Sequence, residues 1–150
     1  MPLGYWNDPE ATAKVFRPNP SRPPGTPDTE RVVYSGDMVW RDAGGFLYHH
    51  GRADRMFKTL EYWVSPDEIT DVLYASGRVR EAIIVPEQDE VRGTKIVAHV
   101  SLMNGAALDQ LVAFCKRELP RHMQPARSQV WDELPRNPNG KHDMVALAAR

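Results

Sequence analysis

The sequence predicts an α+β fold, a short and mainly antiparallel sheet flanked by helices. Three observations carry this expectation. "VSPDEITDVLYASG" and "AALDQLVAFCKREL" place apolar residues at helical spacing. "VREAIIVPEQ" and "TKIVAHVSLM" are rich in β-branched residues and are joined by the polar turn "DEVRG". "SQVWDEL" adds a last short strand after the second helix, so two helices interleave with three short strands, as in a small unit with helices packed on one sheet.

The elements follow in order. In "MPLGYWNDPEATAKVF", Asp8 can cap a helix and Pro9 suits its first position, so Ala11 to Phe16 read as a short helix. "RPNPSRPPGTPDTER" is too rich in proline for regular structure and reads as a loop. Nothing before this loop is long enough to close a core, so the N-terminal third reads as the tail of something larger or as an arm that needs a host. "RVVYSGDMVW" gives a strand, a break at Ser35-Gly36-Asp37 and a second strand. "RDAGGFLYHHGR" gives a hairpin that turns at Asp42-Ala43-Gly44-Gly45 and continues through Phe46, Leu47 and Tyr48. The next helix has a marked start. Ser65 can cap, Pro66 fits the first position and Glu68 completes a capping box. Ile69, Val72 and Leu73 form its apolar face, and Gly77 can end it. In "LDQLVAFCKREL", Cys115 shares a face with Leu108, Leu111 and Val112, which reads as core and not as a nucleophile. Pro120 stops that helix. The best internal boundary lies near Gly51 to Asp54.

Composition bounds the function. One hundred and fifty residues fit one ordinary domain, or one small domain plus part of another. A hydrophobic fraction of 41% with four tryptophans can build a core. Nineteen basic and twenty acidic residues leave a net charge of −1, which argues against a dedicated nucleic-acid binder. No apolar run has the length of a membrane span, and no signal pattern opens the chain. A single cysteine excludes an internal disulfide framework, and a cytoplasmic setting is the default.

Few residues suggest chemistry by themselves. Asp37, in a turn at a strand end, can accept hydrogen bonds from two neighbouring hydroxyls such as those of a ribose; spacing alone favours the plainer reading, a turn aspartate that bonds its own backbone. Arg52 and Asp54 in "GRADR" suit a surface ion pair, which contributes little. Lys141 follows Asn139-Gly140 in the tight stretch "PRNPNGKHD". It is either a solvated turn lysine or a cation carried into a site. His49 and His50 alternate on a strand, the other histidines are scattered, and none has zinc-ligand spacing.

Taken in order, "GYWNDPEATAKVF", "YSGDMVWRDAGGFLYHHGRADRMFK", "YWVSPDEI" and "LPRHMQPARSQVWDELPRNPNGKHD" resemble the C-terminal portion of the adenylate-forming superfamily. That family holds acyl-CoA synthetases, adenylation domains of nonribosomal peptide synthetases and firefly luciferase. The resemblance covers essentially the whole chain. It implies that residues 1–53 are the tail of a large N-terminal domain that binds ATP and the acyl group. Residues 54–150 would be the mobile C-terminal domain. Met1 falls where the family is mid-domain, which implies a piece of a longer protein in preference to a natural stand-alone chain.

By the same resemblance, a carboxylate attacks the α-phosphate of ATP, and a thiol then displaces AMP after the small domain rotates. Asp37 would bind the ribose hydroxyls, with Arg52 helping to hold the ribose. Asp54 would be the hinge. Lys141 would enter the site for adenylation, and Lys58 and Glu61 would lie on the loop that lines the thiol tunnel. ATP, CoA and Mg2+ are the implied cofactors, the Mg2+ arriving with ATP. The implied partners are the large N-terminal domain, a carboxylic acid, and CoA or a carrier-protein pantetheine, with no nucleic acid and no membrane. "SPDEITDVLYASGRVREAIIV" and "RGTKIVAHVSL" resemble the acyl-CoA ligase branch more than the carrier-protein branch. A non-catalytic domain that binds a separate large domain is the contrasting class. One departure stands out in "KTLEYWV": Glu61 occupies a position where the family usually has glycine, and Trp63 one where it usually has arginine. Glycine there permits a positive φ or close backbone approach. Glu61 is therefore expected to alter the thiol step and to leave adenylation intact, unless the loop has only shifted.

Overall fold

The computed structural model describes residues 4–25, 31–89 and 93–149. The chain divides into two compact units, Met1–Asp37 and Met38–Arg150. The expected turn "DEVRG" lies mostly outside the described residues, as do residues 26–30 of the proline-rich loop.

The first unit opens with helix α1 (Pro9–Val15). Asp8 caps it, its Oδ1 accepting from the Ala11 amide at 2.9 Å. Phe16 was expected in this helix but leaves it. Phe16–Pro18 form strand β1, paired antiparallel with β2 (Arg31–Val33) through Phe16↔Val33 and Pro18↔Arg31. The proline-rich stretch is thus partly a strand. Pro18 is tolerated because β1 has a neighbour on one side only. Arg17 stacks its guanidinium over Tyr34, 4.6 Å from the ring centre.

Strand β3 (Asp37–Arg41) pairs with β4 (Leu47–Arg52) across the expected turn. The Asp42 amide donates to the Phe46 carbonyl at 3.1 Å and Asp42 Oδ1 accepts from the Phe46 amide at 2.9 Å. The second strand runs on to Arg52, further than the Phe46–Tyr48 expected. Trp40 and Tyr48 stack across the pair, ring centres 4.2 Å apart. A second hairpin, β5 (Phe57–Thr59) and β6 (Tyr62–Val64), was not expected from sequence.

The main sheet has three strands in the order β7 (Val79–Asp89), β8 (Gly93–Leu102), β9 (Arg127–Val130). β7 and β8 are long and antiparallel, with Val85↔Val97 in register; β9 joins β8 in parallel, with His99↔Gln129 in register. Residue alternation along β7 sends Ala82 and Ile84 to one face and Ile83 and Val85 to the other. On the first face, helix α2 (Pro66–Ala75) buries Ile69 and Leu73, and helix α3 (Leu108–Glu118) buries Leu111 and Cys115. Full burial of one such leucine contributes roughly 1.5–3 kcal/mol. On the second face, Leu134 and Leu147 pack with Val85, Ile83 and Trp131. Leu147 belongs to a short helix α4 (Met144–Ala148), which was also not expected. Asp143 caps it, Oδ1 accepting from the amides of Val145 and Ala146.

The start of α2 is where expected, but its capping box does not form. The Ser65 side chain makes no cap hydrogen bond, and its Oγ is buried without a partner. Glu68 turns instead to His50 of β4, 3.4 Å away. Gly51 of β4 has φ +129, and a Cβ there would meet Ser65 Oγ at 2.5 Å. Strand and helix are in close contact at this point, which leaves glycine as the residue that fits. Gly77, with φ +66, follows the helix end as expected. No helix among the described residues is long and apolar enough to cross a membrane.

Candidate functional site

The lysine loop is built from its own backbone. Asn137 donates its amide to the Lys141 carbonyl at 2.7 Å, and Gly140 donates to the Asn137 carbonyl at 2.9 Å. The Asn137 side chain closes the turn: its Oδ1 accepts from the amides of Asn139 at 3.0 Å and Lys141 at 3.1 Å. The single left-handed residue of the turn is Gly140, at φ +76, where no steric cost arises. Arg136 and His142 pair antiparallel across the base. Arg136 donates through Nη1 to the Gly140 carbonyl at 2.9 Å, and through Nη2 to the Glu81 carboxylate of β7. Lys141 is exposed on this rigid loop. It lines a groove of about 600 Å³ with Arg55, Asp67 and Thr70 at the start of α2, Ile83 of β7 and His142. A charge held this way meets an anionic group at low reorganisation cost.

Arg52 and Asp54 come together as a two-pronged pair. Arg52 Nε and Nη2 donate to Asp54 Oδ1 and Oδ2, both at 2.9 Å. The hydrogen bond from Arg52, more than its charge at a distance, holds the Asp54 carboxyl below its ordinary range. Asp54 is solvent-exposed, so the pair is an orienting contact more than a source of stability.

Lys58 and Glu61 share the β5–β6 hairpin. Lys58 lies opposite Trp63, and Thr59 opposite Tyr62, which leaves Leu60-Glu61 as a two-residue turn. Both turn residues are left-handed, φ +46 and +71. This is the pattern of hairpin turns that favour Asn-Gly. Glu61 therefore adopts the positive φ for which glycine is suited. Tyr62 stacks on His122, ring centres 4.3 Å apart.

Asp37, the last residue of the first unit, donates its amide to Ser35 Oγ at 3.2 Å. The groove beside Lys141 does not include Arg52, Asp54, Lys58 or Glu61 among its described lining. Sequence reading missed Arg136, Asn137 and Glu81. Asn137 had a visible signal in "NPNG", where asparagine commonly closes a turn. The Arg136–Glu81 contact spans 55 positions and has no local signal. No group of three or more His, Cys, Asp or Glu side chains that could hold a metal ion occurs among the described residues.

Residues 68–141 match the AMP-binding enzyme C-terminal domain family. The chain carries the C-terminal domain of the adenylate-forming superfamily. It is 36% identical over 149 residues to a dimodular nonribosomal peptide synthase of Bacillus subtilis, covering 97% of this chain and 6% of that protein. It is 32% identical over 144 residues to a 3-hydroxybenzoate–CoA/4-hydroxybenzoate–CoA ligase of Thauera aromatica, covering 93% and 25%. The structure of o-succinylbenzoate CoA synthetase from Bacillus subtilis, bound to its acyl-adenylate intermediate, superposes with a TM-score of 0.78 at 26% identity, over 97% of this chain and 28% of that one. The chain thus spans a small part of the length of these relatives.

Proposed function

We propose that this chain works as the C-terminal portion of an ATP-dependent acid–thiol ligase, in the acyl-CoA ligase branch. The whole enzyme activates a carboxylic acid to an acyl-adenylate and passes the acyl group to CoA, in a cytoplasmic setting. The observation that carries the adenylating part of this reading is Lys141, an exposed cation on a loop whose backbone is fixed by Asn137 and Gly140; the branch rests on the sequence resemblance of residues 65–85 and 92–102. In adenylation its ammonium bridges the carboxylate and α-phosphate oxygens, positioning them and neutralising developing charge. Asp37 binds the ribose hydroxyls, and Arg52 assists once its guanidinium is shared with Asp54. Asp54 is the hinge between a large domain ending near residue 53 and the small domain from 54 onward. Lys58 and Glu61 border the path of the thiol. Magnesium, arriving with ATP, would supply charge neutralisation on the phosphates.

A second acceptor is supported by the match to a nonribosomal peptide synthase: the pantetheine arm of a carrier protein in place of CoA. The test uses the full-length protein. Carboxylate-dependent ATP–pyrophosphate exchange is measured over a panel of acids, with Lys141→Ala beside it. Thioester formation is then compared with CoA and with a pantetheine-loaded carrier protein. Exchange that is lost in Lys141→Ala supports the ligase. Absence of exchange with every acid leaves the non-catalytic class, a domain that only binds a partner.

A further inference from the structure

We propose that Arg136 and Glu81 are positioning residues that clamp the Lys141 loop to the sheet, an inference that rests on Lys141 being the adenylating lysine. The bonds supplied by Asn137 and Gly140 all run within the loop, so they fix its shape but not its place. Arg136 does the second job. One prong of its guanidinium holds the carbonyl of Gly140, the residue before Lys141; the other holds the Glu81 carboxylate on β7. His142 Nε2, on the far side of the loop base, is 4.0 Å from the same carboxylate. Both strands of the loop base therefore face one anchor. Glu81 lies where the β7–β8 register shifts, between Val79 and Glu81, and its carboxylate is three-quarters buried.

An exposed ion pair would contribute little. Here Arg136 is exposed, but Glu81 is partly buried and the guanidinium is shared with a backbone carbonyl, so the pair sets direction more than energy. Leu134 and Leu147 bury on the sheet on either side of the loop. The fold of this region thus rests on apolar contacts, and the clamp is left to set where the ammonium points. A misplacement of about 1 Å at a reacting centre can cost roughly 10²-fold in rate.

The experiment uses the full-length protein with Arg136→Met and Glu81→Gln, each in the native and the Lys141→Ala background. Three quantities are read: kcat and KM for ATP in pyrophosphate exchange, the thiol step from preformed acyl-adenylate, and the melting temperature. Arg136→Met is expected to lower kcat for exchange by about 10- to 100-fold, with KM for ATP changed less than about two-fold. The thiol step stays at the native rate, and without Lys141 the same substitution has no further effect. Glu81→Gln keeps the size of the side chain and shows the same pattern with a smaller loss, which covers the case of Arg136→Met failing to fold. Native exchange in both variants overturns the clamp. So does a parallel loss in the thiol step, or an equal loss when Lys141 is already absent. Native exchange in Lys141→Ala alone overturns the role of Lys141 itself, and is thereby distinguished.

Discussion

Two turns in the second unit carry the candidate site residues Lys141 and Glu61, and they are built in opposite ways. The Asn137–Gly140 turn places its one left-handed residue at a glycine and satisfies its amides from the Asn137 side chain. The Leu60-Glu61 turn places two side-chain-bearing residues in left-handed backbone, at φ +46 and +71. The first turn is relaxed and clamped, as suits a group that must arrive in one geometry. The second keeps its shape through the flanking pairs Thr59↔Tyr62 and Lys58↔Trp63, against a local steric cost of about 1–2 kcal/mol per residue. The backbone at Glu61 is thus in a region that glycine enters without steric cost, and here it carries a carboxylate side chain.

The contrast breaks most directly at Lys141. Lys141→Ala should reduce pyrophosphate exchange by about 10²–10³-fold with an unchanged melting temperature. Glu61→Gly should leave exchange alone and speed thioester formation. Equal thioester rates for Glu61 and Glu61→Gly would show that the thiol path accommodates the carboxylate.

Asn137→Ala comes next. It removes two exposed hydrogen bonds, whose amides turn to water, at a net cost of about 0.5–1.5 kcal/mol each at most. Hydrogen exchange at Asn139 and Lys141 should quicken while amides of the β5–β6 hairpin keep their protection. Unchanged protection at both amides would mean that water replaces the Asn137 carbonyl without loss.

Acid should separate the two regions as well. His99 is fully buried on β8, and its Nδ1 accepts from Trp131 Nε1 at 3.0 Å. Burial, reinforced by the charge of Arg127 and opposed by Glu87, lowers its pKa from an ordinary 6.5. The unfolded chain therefore binds a proton that the folded chain refuses. Stability is full above about pH 6.5 and falls below it, until the folded imidazole is protonated too, with a slope of at most about 1.4 kcal/mol per pH unit. Protonation also removes the acceptor from Trp131, which leads into the lysine loop. Melting temperature against pH should flatten in His99→Leu, and in the native chain hydrogen exchange in residues 131–143 should rise on acidification before that of residues 57–64.

The smallest effects are reciprocal. Glu61→Gly should stabilise by about 0.5–1 kcal/mol, the relief of strain outweighing the extra freedom of the unfolded chain. Gly140→Ala should destabilise by about 1–2 kcal/mol through φ alone, since a Cβ there meets nothing within 4 Å. Thermal melts of the two variants, moving in opposite directions, would confirm that the turns differ in stored strain.

Sequence patterns revealed what is local. The two amphipathic helices, the long β7–β8 pair and the β3–β4 turn follow from periodicity and turn residues that act within a few positions. The capping box at Ser65 and Glu68 was misleading because His50, eighteen positions away, competes for the glutamate. The β5–β6 hairpin was invisible because Leu-Glu is not a turn dipeptide, and only the pairing of its flanks imposes it. Helix α4 is five residues long, although Asp143 before "MVALA" was a usable capping signal. At the candidate site, the tightness of the lysine loop was readable in "NPNG". Its anchor on Glu81 was not, because that contact exists only once the sheet has formed.

Cys115 supplies a practical consequence. It is the single cysteine of the chain, 4% exposed on the buried face of α3, and burial raises its thiol pKa above the ordinary range. A thiol so placed is slow toward alkylating reagents. A cysteine introduced at the tip of either turn, Pro138→Cys or Leu60→Cys, would be the one reactive handle on this chain. A fluorophore or spin label attached there would track one turn at a time through a catalytic cycle, with the native residue left in place.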